Sequence, residues 1–394
     1  MSEKREAVIV SAVRTPLGSF GGALSGFGAT ALGGMVIEDA IRRAGIEKGD
    51  VDEVIMGLVL PCGYGQNPAR QAALKAGLPY ETQCLTLNKV CGSGLKAVML
   101  AAQAIQLGDA DVVIAGGMES MSNAPYYLEK ARYGYRMGDG VLVDHMVHDG
   151  LWDIVNDFHM GVSNDLCCEK YNVSREDQDR YAALSYARAL DSIKEGRFKE
   201  EIMPVSVPQR KGDPKIFDTD ECPRETDYEA LSKMKPAFQA NGYATVGNSS
   251  VISDGGSALC VMSQQTAKER GLEVLARVGS QGSAGLDMKY VLMASILSIP
   301  KVAAKEGIDY HAIDLLEINE AFSGSTVGVI RDLGLDIDRC NVNGGAVALG
   351  HPIGASGARV LTTLVYAMKN RGAKSGMASL CLGGGEAVAL YVDR

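Results

Sequence analysis

Three segments of the chain carry side chains suited to acyl transfer. Cys91 precedes a Gly-Ser-Gly sequence at a predicted helix start, where the partial positive charge of the helix terminus favours a thiolate nucleophile. Cys381 ends an apolar run, and Gly383–Gly385 just after it offer backbone N–H groups that can stabilise an oxyanion. His351 lies in a Gly/Pro-rich turn before another helix, which suits a rigidly held base. Taken singly, each has a structural alternative, as a core cysteine or a loop histidine.

A fourth segment, Glu317–Phe322, follows the apolar run Ile313–Leu316. It would place Asn319 at the C-terminal end of a strand, which is where open α/β sheets hold their sites. A solvated loop is the alternative interpretation. The four segments together indicate a nucleophile, acid/base groups and oxyanion donors.

The elements that must position these residues alternate between strand-like and helix-like patterns. Ala7–Val13, Val54–Val59 and Val112–Ala115 are typical of buried strands, and Leu32–Ala44 is typical of an amphipathic helix. This alternation predicts an α/β fold. The chain has 394 residues, too many for one ordinary core, so we expect two or three domains.

One pattern of elements occurs twice. Lys89–Val98 opens a helix that is followed by a polar break, the strand Val112–Ala115 and a glycine pair. Pro352–Val360 opens a second helix, followed by a break, the strand Met377–Leu382 and a glycine cluster. The repetition predicts two duplicated halves. Between them charged and aromatic residues become frequent, which indicates an inserted region of helices and long loops that can hold a substrate.

Composition narrows the classes of function. The formal net charge is −9, which argues against nucleic acid and anionic membranes as partners. The first residues lack the pattern of a signal peptide, and no stretch of about 18 apolar residues predicts a membrane span. We therefore expect a cytoplasmic protein.

The nine cysteines are odd in number and irregular in spacing, which argues against a disulfide framework. No C-x-x-C motif is present and there are only five histidines, so we expect neither a structural zinc site nor any other metal.

The motifs together resemble those of the thiolase family over essentially the whole chain. They occur in the family's order and comprise the Cys91 segment, the three C-terminal segments and Ala12–Pro16, Gly65–Gln71 and Gly116–Ser122. The resemblance implies a five-layered αβαβα fold with two similar halves and an inserted loop domain. It places the N-terminal half at residues 1–122 and 249–271, the loop domain at 123–248 and the C-terminal half at 272–394.

The resemblance also implies the roles of the catalytic residues. Cys91 would be the nucleophile that takes the acyl group, and His351 would be its base. Cys381 would be the second acid/base, moving the α-proton of acetyl-CoA. Asn319 would hold a water that completes one oxyanion site with His351, while the N–H groups of Cys91 and Gly383 would form the other.

The substrate is expected to contact residues of the inserted region and the adjoining loops. Basic residues cluster there, and one of them would lie near the nucleotide of coenzyme A; the cluster is Arg210, Lys211, Arg224, Lys233 and Lys235. By resemblance the nucleotide contact is Arg224, and the pantetheine and pocket contacts are Ser250, the backbone of Val246, Phe238, Phe322, His159 and Met160. A solvated face is the alternative for the basic residues.

The resemblance implies the reversible Claisen condensation of two acetyl-CoA to acetoacetyl-CoA and CoA, or thiolytic cleavage of a 3-oxoacyl-CoA, with ping-pong kinetics and no further cofactor. A preference for longer acyl chains, a ketoacyl synthase, a non-catalytic thiolase-like subunit and a regulatory Cys91–Cys381 disulfide are the alternatives. A homodimer or homotetramer is the expected assembly.

The chain departs from the family pattern at three places. Gly247–Val251 replaces a Gly-Asn-Ala-Ser-Gly segment, and Met293–Pro300 replaces a Gly-Thr-Gly-Pro-type segment. Cys167 and Cys168 stand where polar or small residues are usual. The second departure leaves the shape of the acyl pocket open, and with it the chain-length preference.

Overall fold

Strands and helices alternate along residues 5–394, the part of the chain that the computed structural model describes. The strands are β1 (Ala7–Arg14), β2 (Gly18–Ser19), β3 (Glu53–Gly57), β4 (Gln83–Leu87), β5 (Val112–Ser120), β6 (Tyr126–Tyr127), β7 (Val143–Asp144), β8 (Trp152–Asp153), β9 (Phe158–His159), β10 (Val205–Val207), β11 (Lys215–Phe217), β12 (Ser253–Ser263), β13 (Ala276–Gly285), β14 (Leu315–Ile318), β15 (Ser375–Leu382) and β16 (Glu386–Asp393). The helices are α1 (Ala29–Ala44), α2 (Pro68–Lys75), α3 (Ser93–Leu107), α4 (Met160–Lys170), α5 (Arg175–Lys194), α6 (Tyr228–Ser232), α7 (Gln264–Glu269), α8 (Ser295–Glu306), α9 (Ser323–Asp332), α10 (Ala346–Leu349) and α11 (Ile353–Arg371).

The main sheet contains the same arrangement in both halves. Its order is β14-β15-β16-β13-β1-β12-β5-β3-β4. In the N-terminal half β5 is parallel to β3 and antiparallel to β12, and in the C-terminal half β15 is parallel to β14 and antiparallel to β16. Each of β5 and β15 follows a long helix, α3 and α11. The duplication predicted from the repeated pattern is therefore confirmed.

The helices form three layers that alternate with the two halves of the sheet. One core cluster joins α1 and α2 to one face of the N-terminal strands, and another joins α8 and α9 to the outer face of β14–β16. The largest cluster lies between the halves and contains α3 and α11. These clusters give the five αβαβα layers that the resemblance to thiolases implies.

The central helices α3 and α11 pack closely because both are lined with small residues. A Cβ on Gly94 would lie 2.6 Å from the backbone nitrogen of Ala358, and one on Gly357 would collide with the backbone of Leu95. Only glycine permits this approach. The helix starts, and hence Cys91 and His351, are thereby brought to the same end of the core.

One segment, Val90–Leu107, is long and apolar enough to cross a membrane by length and composition, which corrects the expectation that the chain has no such stretch. It contains α3, whose buried residues include Leu95, Val98, Ala102 and Ile105. The hydrophobicity of this segment is that of a core helix packed between two layers of sheet.

The region between β5 and β12 contains three small hairpins, β6–β7, β8–β9 and β10–β11, and helices α4–α6. Buried ion pairs attach it to the main sheet: Arg14 at the end of β1 contacts Glu201 at 2.6 Å and Asp220 at 2.6 Å. This is the inserted region expected from the change in composition. The domain boundaries given above stay a prediction.

Candidate active site

The turn that carries Cys91 is strained. Val90 has φ 46°, a left-handed conformation that β-branched residues rarely adopt. The Ser93 hydroxyl holds the turn closed by accepting from the N–H of Lys89 at 2.8 Å and donating to the Val90 carbonyl at 2.6 Å. The turn presents Cys91 just before α3, as the sequence predicts.

The Cys91 thiol is neutral in the free protein. Burial raises its pKa to about 12, and the N–H groups of Gly383 and of Cys91 itself counteract that rise by donating to the sulfur. The helix terminus favours a thiolate, but in the free site desolvation outweighs its effect on the pKa of Cys91. The same two N–H groups are those expected to hold the oxyanion.

His351 is a neutral imidazole with one nitrogen fixed. Its Nδ1 lies 2.6 Å from the Ser356 hydroxyl, which itself donates to the Pro352 carbonyl at 2.9 Å. Ser356 must therefore accept from Nδ1–H, which leaves Nε2 unprotonated. Within residues 5–394 Nε2 has no hydrogen-bond partner. Burial, followed by the charge of Arg359, lowers the pKa of His351 to about 3, so the ring is available as a base.

Cys381 and Asn319 lie at neighbouring strand ends. Cys381 is buried at the end of β15, and burial followed by the proximity of Cys91 raises the pKa of its thiol well above the usual range. Asn319 follows β14, and its N–H bonds the carbonyl of Ser379 at 2.9 Å. Both amide atoms of the Asn319 side chain are buried without a protein partner in the described chain, which suits a role in binding a small polar molecule.

One apolar pocket of about 460 Å³ collects most of the predicted site residues. It brings together both thiols, the imidazole and the expected substrate contacts, namely Cys91, His351, Cys381, Gly383, His159, Met160, Arg224, Phe238, Val246, Ser250 and Phe322. Asn319 is not part of the lining.

Aromatic rings form one wall of the pocket. The ring of His159 stacks on Phe238 with centroids 4.6 Å apart, and Phe238 meets Phe322 edge to face at 5.9 Å. Burial lowers the pKa of His159 to about 4, and its Nδ1 accepts from the N–H of Gly161 at 3.0 Å. The His159 ring is therefore neutral and its orientation is fixed.

The basic residues predicted to bind coenzyme A separate into two groups. Arg224 lines the pocket, with its guanidinium 5.3 Å from the ring centre of Tyr186. The other four are exposed and lie outside the lining; they are Arg210, Lys211, Lys233 and Lys235. Only Arg224 is placed to meet a molecule inside the pocket.

Several residues of the site were not predicted. Ser356, which contacts His351 but does not line the pocket, was noted only as part of the repeated pattern, although its position five residues after His351 in a helix start was a usable signal. The unpredicted residues that do line the pocket are apolar and come from separate segments: Phe20, Met121, Leu151, Leu292 and Ile353. Sequence patterns mark such residues as core, and only the fold shows that they face a cavity.

Two of the three departures, Met293–Pro300 and Cys167, lie near β15, the strand that carries Cys381. Ser295 and Ser298 lie 3.0 Å and 3.1 Å from the Ser379 hydroxyl, and Leu292 lines the pocket. Cys167 is buried, with the N–H groups of Leu292 and Met293 directed at its sulfur.

The nine cysteines are free thiols in the structure. Among residues 5–394, no cluster of three or more His, Cys, Asp or Glu side chains is arranged to hold a metal ion.

Comparisons with known proteins agree with this geometry. Residues 7–265 match the family model for the thiolase N-terminal domain, and residues 272–394 match that for the thiolase C-terminal domain. The chain is 53% identical over 391 residues to an acetyl-CoA acetyltransferase of Pseudomonas aeruginosa, covering 99% of this chain and 100% of that protein. It is 51% identical over 390 residues to one of Cupriavidus necator, covering 99% of each. A crystal structure of the Bacillus anthracis acetyl-CoA acetyltransferase superposes with a TM-score of 0.97 at 40% identity, covering 100% of both chains. The chain belongs to the thiolase family.

Proposed function

We propose that the chain is an acetyl-CoA C-acetyltransferase, which joins two acetyl-CoA into acetoacetyl-CoA and CoA and also catalyses the reverse cleavage. The proposal is carried by one observation: two thiols and an imidazole with a free Nε2 share a single apolar pocket. The names of the full-length relatives support the same activity.

The first half-reaction acylates Cys91. His351 Nε2 takes the thiol proton as the sulfur attacks the acetyl carbonyl, and the N–H groups of Cys91 and Gly383 stabilise the tetrahedral oxyanion. The bond between the acetyl carbon and the coenzyme A sulfur then breaks. Cys381 gives its proton to the departing thiolate, which leaves acetyl-Cys91, a Cys381 thiolate and an imidazolium.

The second half-reaction forms the carbon–carbon bond. The Cys381 thiolate takes the α-proton of a second acetyl-CoA, and the enolate oxygen accepts from the imidazolium and from a water held by Asn319. The α-carbon attacks acetyl-Cys91 and the thioester to Sγ breaks. The imidazolium returns its proton to the Cys91 thiolate, so both thiols and the imidazole end as they began.

The wider setting follows from composition and family resemblance. The enzyme would use coenzyme A thioesters without a cofactor and would bind neither nucleic acid nor membranes. It would act in the cytoplasm, in lipid or fatty-acid metabolism, as a homodimer or homotetramer.

Acylation of Cys91 is the direct test. After incubation with acetyl-CoA, we expect the proteolytic peptide that contains Cys91 to gain one acetyl group, while Cys91→Ser, with its weaker hydroxyl nucleophile, gains none. An acetyl group on another residue, or none on the wild type, would contradict the assignment.

Chain length is tested separately by comparing kcat/KM for acetoacetyl-CoA with that for longer 3-oxoacyl thioesters. We expect the shortest to be preferred, because Met160, Leu292 and Phe322 are bulky walls of the pocket. A preference for longer chains would instead identify a 3-ketoacyl-CoA thiolase of fatty-acid degradation.

A further inference from the structure

Glu119 is a buried carboxylate that the proposed reaction does not use. It lies near the end of β5 with none of its surface exposed. Its Oε2 accepts from the N–H of Val59 at 3.0 Å and of Gly354 at 2.9 Å, and its Oε1 accepts from the N–H of Leu60 at 3.3 Å. Val59 and Leu60 follow β3, while Gly354 is in the first turn of α11. A single side chain therefore joins two segments that are distant in sequence.

One of these segments contains the base. Gly354 is three residues after His351, and α11 also contributes Ser356, which fixes the imidazole. An acceptor oxygen at this N-terminus is favoured by the helix dipole as well as by the Gly354 N–H. The bond to Glu119 thus holds the helix start from which His351 is oriented.

The other segment reaches the nucleophile. The Val59 carbonyl accepts from the side-chain amide of Asn88 at 3.4 Å, and the amide oxygen of Asn88 accepts from the N–H of Val90 at 2.9 Å. Val90 is the strained residue directly before Cys91. A chain of hydrogen bonds therefore runs from Glu119 through Val59 and Asn88 to the nucleophile turn.

Packing reinforces this connection. Val59, Leu60 and Ile353 belong to one buried apolar cluster, against which Val90 and Cys91 pack. Glu119 itself does not line the pocket, so it has no direct access to the substrate.

We infer that Glu119 is a positioning residue, which sets the separation between Nε2 of His351 and Sγ of Cys91 by fixing the backbone segments behind both. The inference rests on the proposed function, because it assigns Glu119 to the step in which His351 takes the proton of Cys91. A misplacement of about 1 Å in such a step can cost roughly 100-fold in rate.

Two substitutions separate geometry from charge. Glu119→Asp keeps the carboxylate but withdraws it by one methylene from Val59 and Gly354. Glu119→Gln keeps an oxygen that can accept from both of them, and puts an amide NH2 in place of the oxygen that accepts from Leu60. Burial raises the pKa of Glu119 to about 8 and its three N–H donors counteract that rise. A role that needed a negative charge at Glu119 would make the Gln variant the more damaged one, because Gln cannot ionise.

We expect Glu119→Asp to lower kcat for thiolysis by about 10- to 100-fold with KM for CoA changed less than about twofold, and Glu119→Gln to lower kcat by only about threefold. The matched control is Asp52→Asn. Asp52 lies before β3 and its carboxylate accepts from the N–H groups of Asp111 and Val112 at 2.8 Å and 3.0 Å, so it ties the same two strands at their other end. The Asp52→Asn substitution should leave kcat unchanged.

Alkylation of Cys91 by iodoacetamide gives a readout that a loss of stability would not move. It is followed on the peptide that contains Cys91, at temperatures well below the unfolding midpoints of all variants. At pH 7 the reaction needs His351 as base, so we expect Glu119→Asp to slow it by about tenfold. The deficit should shrink as the pH rises towards 10, because hydroxide then replaces the base.

A deficit in alkylation rate that is the same at every pH, an unchanged kcat in Glu119→Asp, or an equal loss of kcat in Asp52→Asn would overturn the inference.

If Glu119→Asp does not fold, Asn88→Ala breaks the same chain of hydrogen bonds at its other end. Asn88 is exposed, so we expect a smaller loss of kcat, roughly 3- to 10-fold. Asn88→Asp should lose kcat as well, because it keeps the oxygen that accepts from Val90 but cannot donate to the Val59 carbonyl. A full rate in Asn88→Ala would also overturn it. Failure of the proposed function is distinguished by acetylation of wild-type Cys91, which does not depend on any of these variants.

Discussion

The turn at Cys91 and the turn at His351 are two versions of one helix start. They differ in the group that a serine of the following helix hydrogen-bonds. In the first, Ser93 braces only backbone, accepting from Lys89 and donating to Val90. In the second, Ser356 braces a side chain, the imidazole of His351.

The backbones of the two turns differ in the same sense. The tight position before Cys91 is the strained Val90, with φ 46°, whereas the position before His351 is Gly350, with φ 115°, which glycine adopts without strain. The duplicated scaffold thus supplies two equivalent places at the end of the core. The two turns differ in function because one carries a thiol and the other an imidazole, and because a different contact of the serine holds each of them.

The two turns also share an electrostatic feature. Burial raises the pKa of Cys91 to about 12 and lowers that of His351 to about 3. The resting pair is therefore a neutral thiol and a neutral imidazole. Charge develops only as the reaction proceeds, when the N–H groups of Cys91 and Gly383 can stabilise it without reorganisation.

The largest effect should come from the thiol that faces both turns. Replacing Cys381 with Ala removes the group that moves the α-proton, so we expect condensation to fall by about 10³-fold while acetyl-Cys91 still forms, more slowly. Exchange of the acetyl-CoA methyl protons with deuterated water measures this step directly. If Cys381→Ala still exchanged these protons, Cys381 would not be the group that moves the α-proton.

A smaller effect is expected from Asn319, whose amide is buried without a protein partner in the described chain. Asn319→Ala removes one support of the enolate oxygen, and we expect kcat for condensation to fall by about 10²-fold. Acetylation of Cys91 uses the other oxyanion site and should keep its rate. Equal loss in both half-reactions would show that Asn319 does not distinguish the two sites.

The two serines test the difference between the turns themselves. Ser356→Ala frees the imidazole to rotate and change tautomer, and we expect kcat to fall by roughly 10-fold. Ser93→Ala removes two backbone hydrogen bonds, and we expect it to cost about 1–3 kcal/mol of unfolding free energy. Denaturant unfolding and steady-state kinetics on both variants measure the contrast. A loss of kcat confined to Ser93→Ala would reverse the assignment of the two serines.

The smallest effect concerns stability and pH. The folded pKa of His351, about 3, lies below its ordinary value of 6.5, so the unfolded chain binds this proton more readily. The neutral ring's contribution is complete above pH 6.5 and is lost as the pH falls towards 3, by up to about 1.4 kcal/mol per pH unit. We expect His351→Gln to lose less stability than the wild type between pH 7 and pH 5 in urea unfolding. Parallel losses in the two proteins would contradict a buried neutral His351.

The sequence predicted the reacting groups better than the groups that hold them. Cys91, His351 and Cys381 were recognisable because each reactive side chain stands in a glycine-rich turn or strand end. Glu119 was visible in a family motif but received no role, because its partners are backbone N–H groups of segments far away in the chain. Such partners leave no pattern in side-chain types.

Element boundaries show the same limit. The strand predicted at Val112–Ala115 continues to Ser120, because Gly116 and Gly117 pair with β12 instead of ending the strand. The segment Lys89–Val98, predicted to open a helix, starts with the strained turn, and the helix itself begins only at Ser93. Local propensity could not anticipate either, since both depend on neighbours supplied by the fold.

The most direct test of the whole account is a crystal structure of the protein after reaction with acetyl-CoA. We expect an acetyl group on Sγ of Cys91, its carbonyl oxygen accepting from the N–H groups of Cys91 and Gly383, with His351 Nε2 and the Cys381 sulfur facing the same thioester. An acetyl group whose carbonyl points away from those two N–H groups, or a Cys381 sulfur out of reach of the substrate's α-carbon, would contradict it.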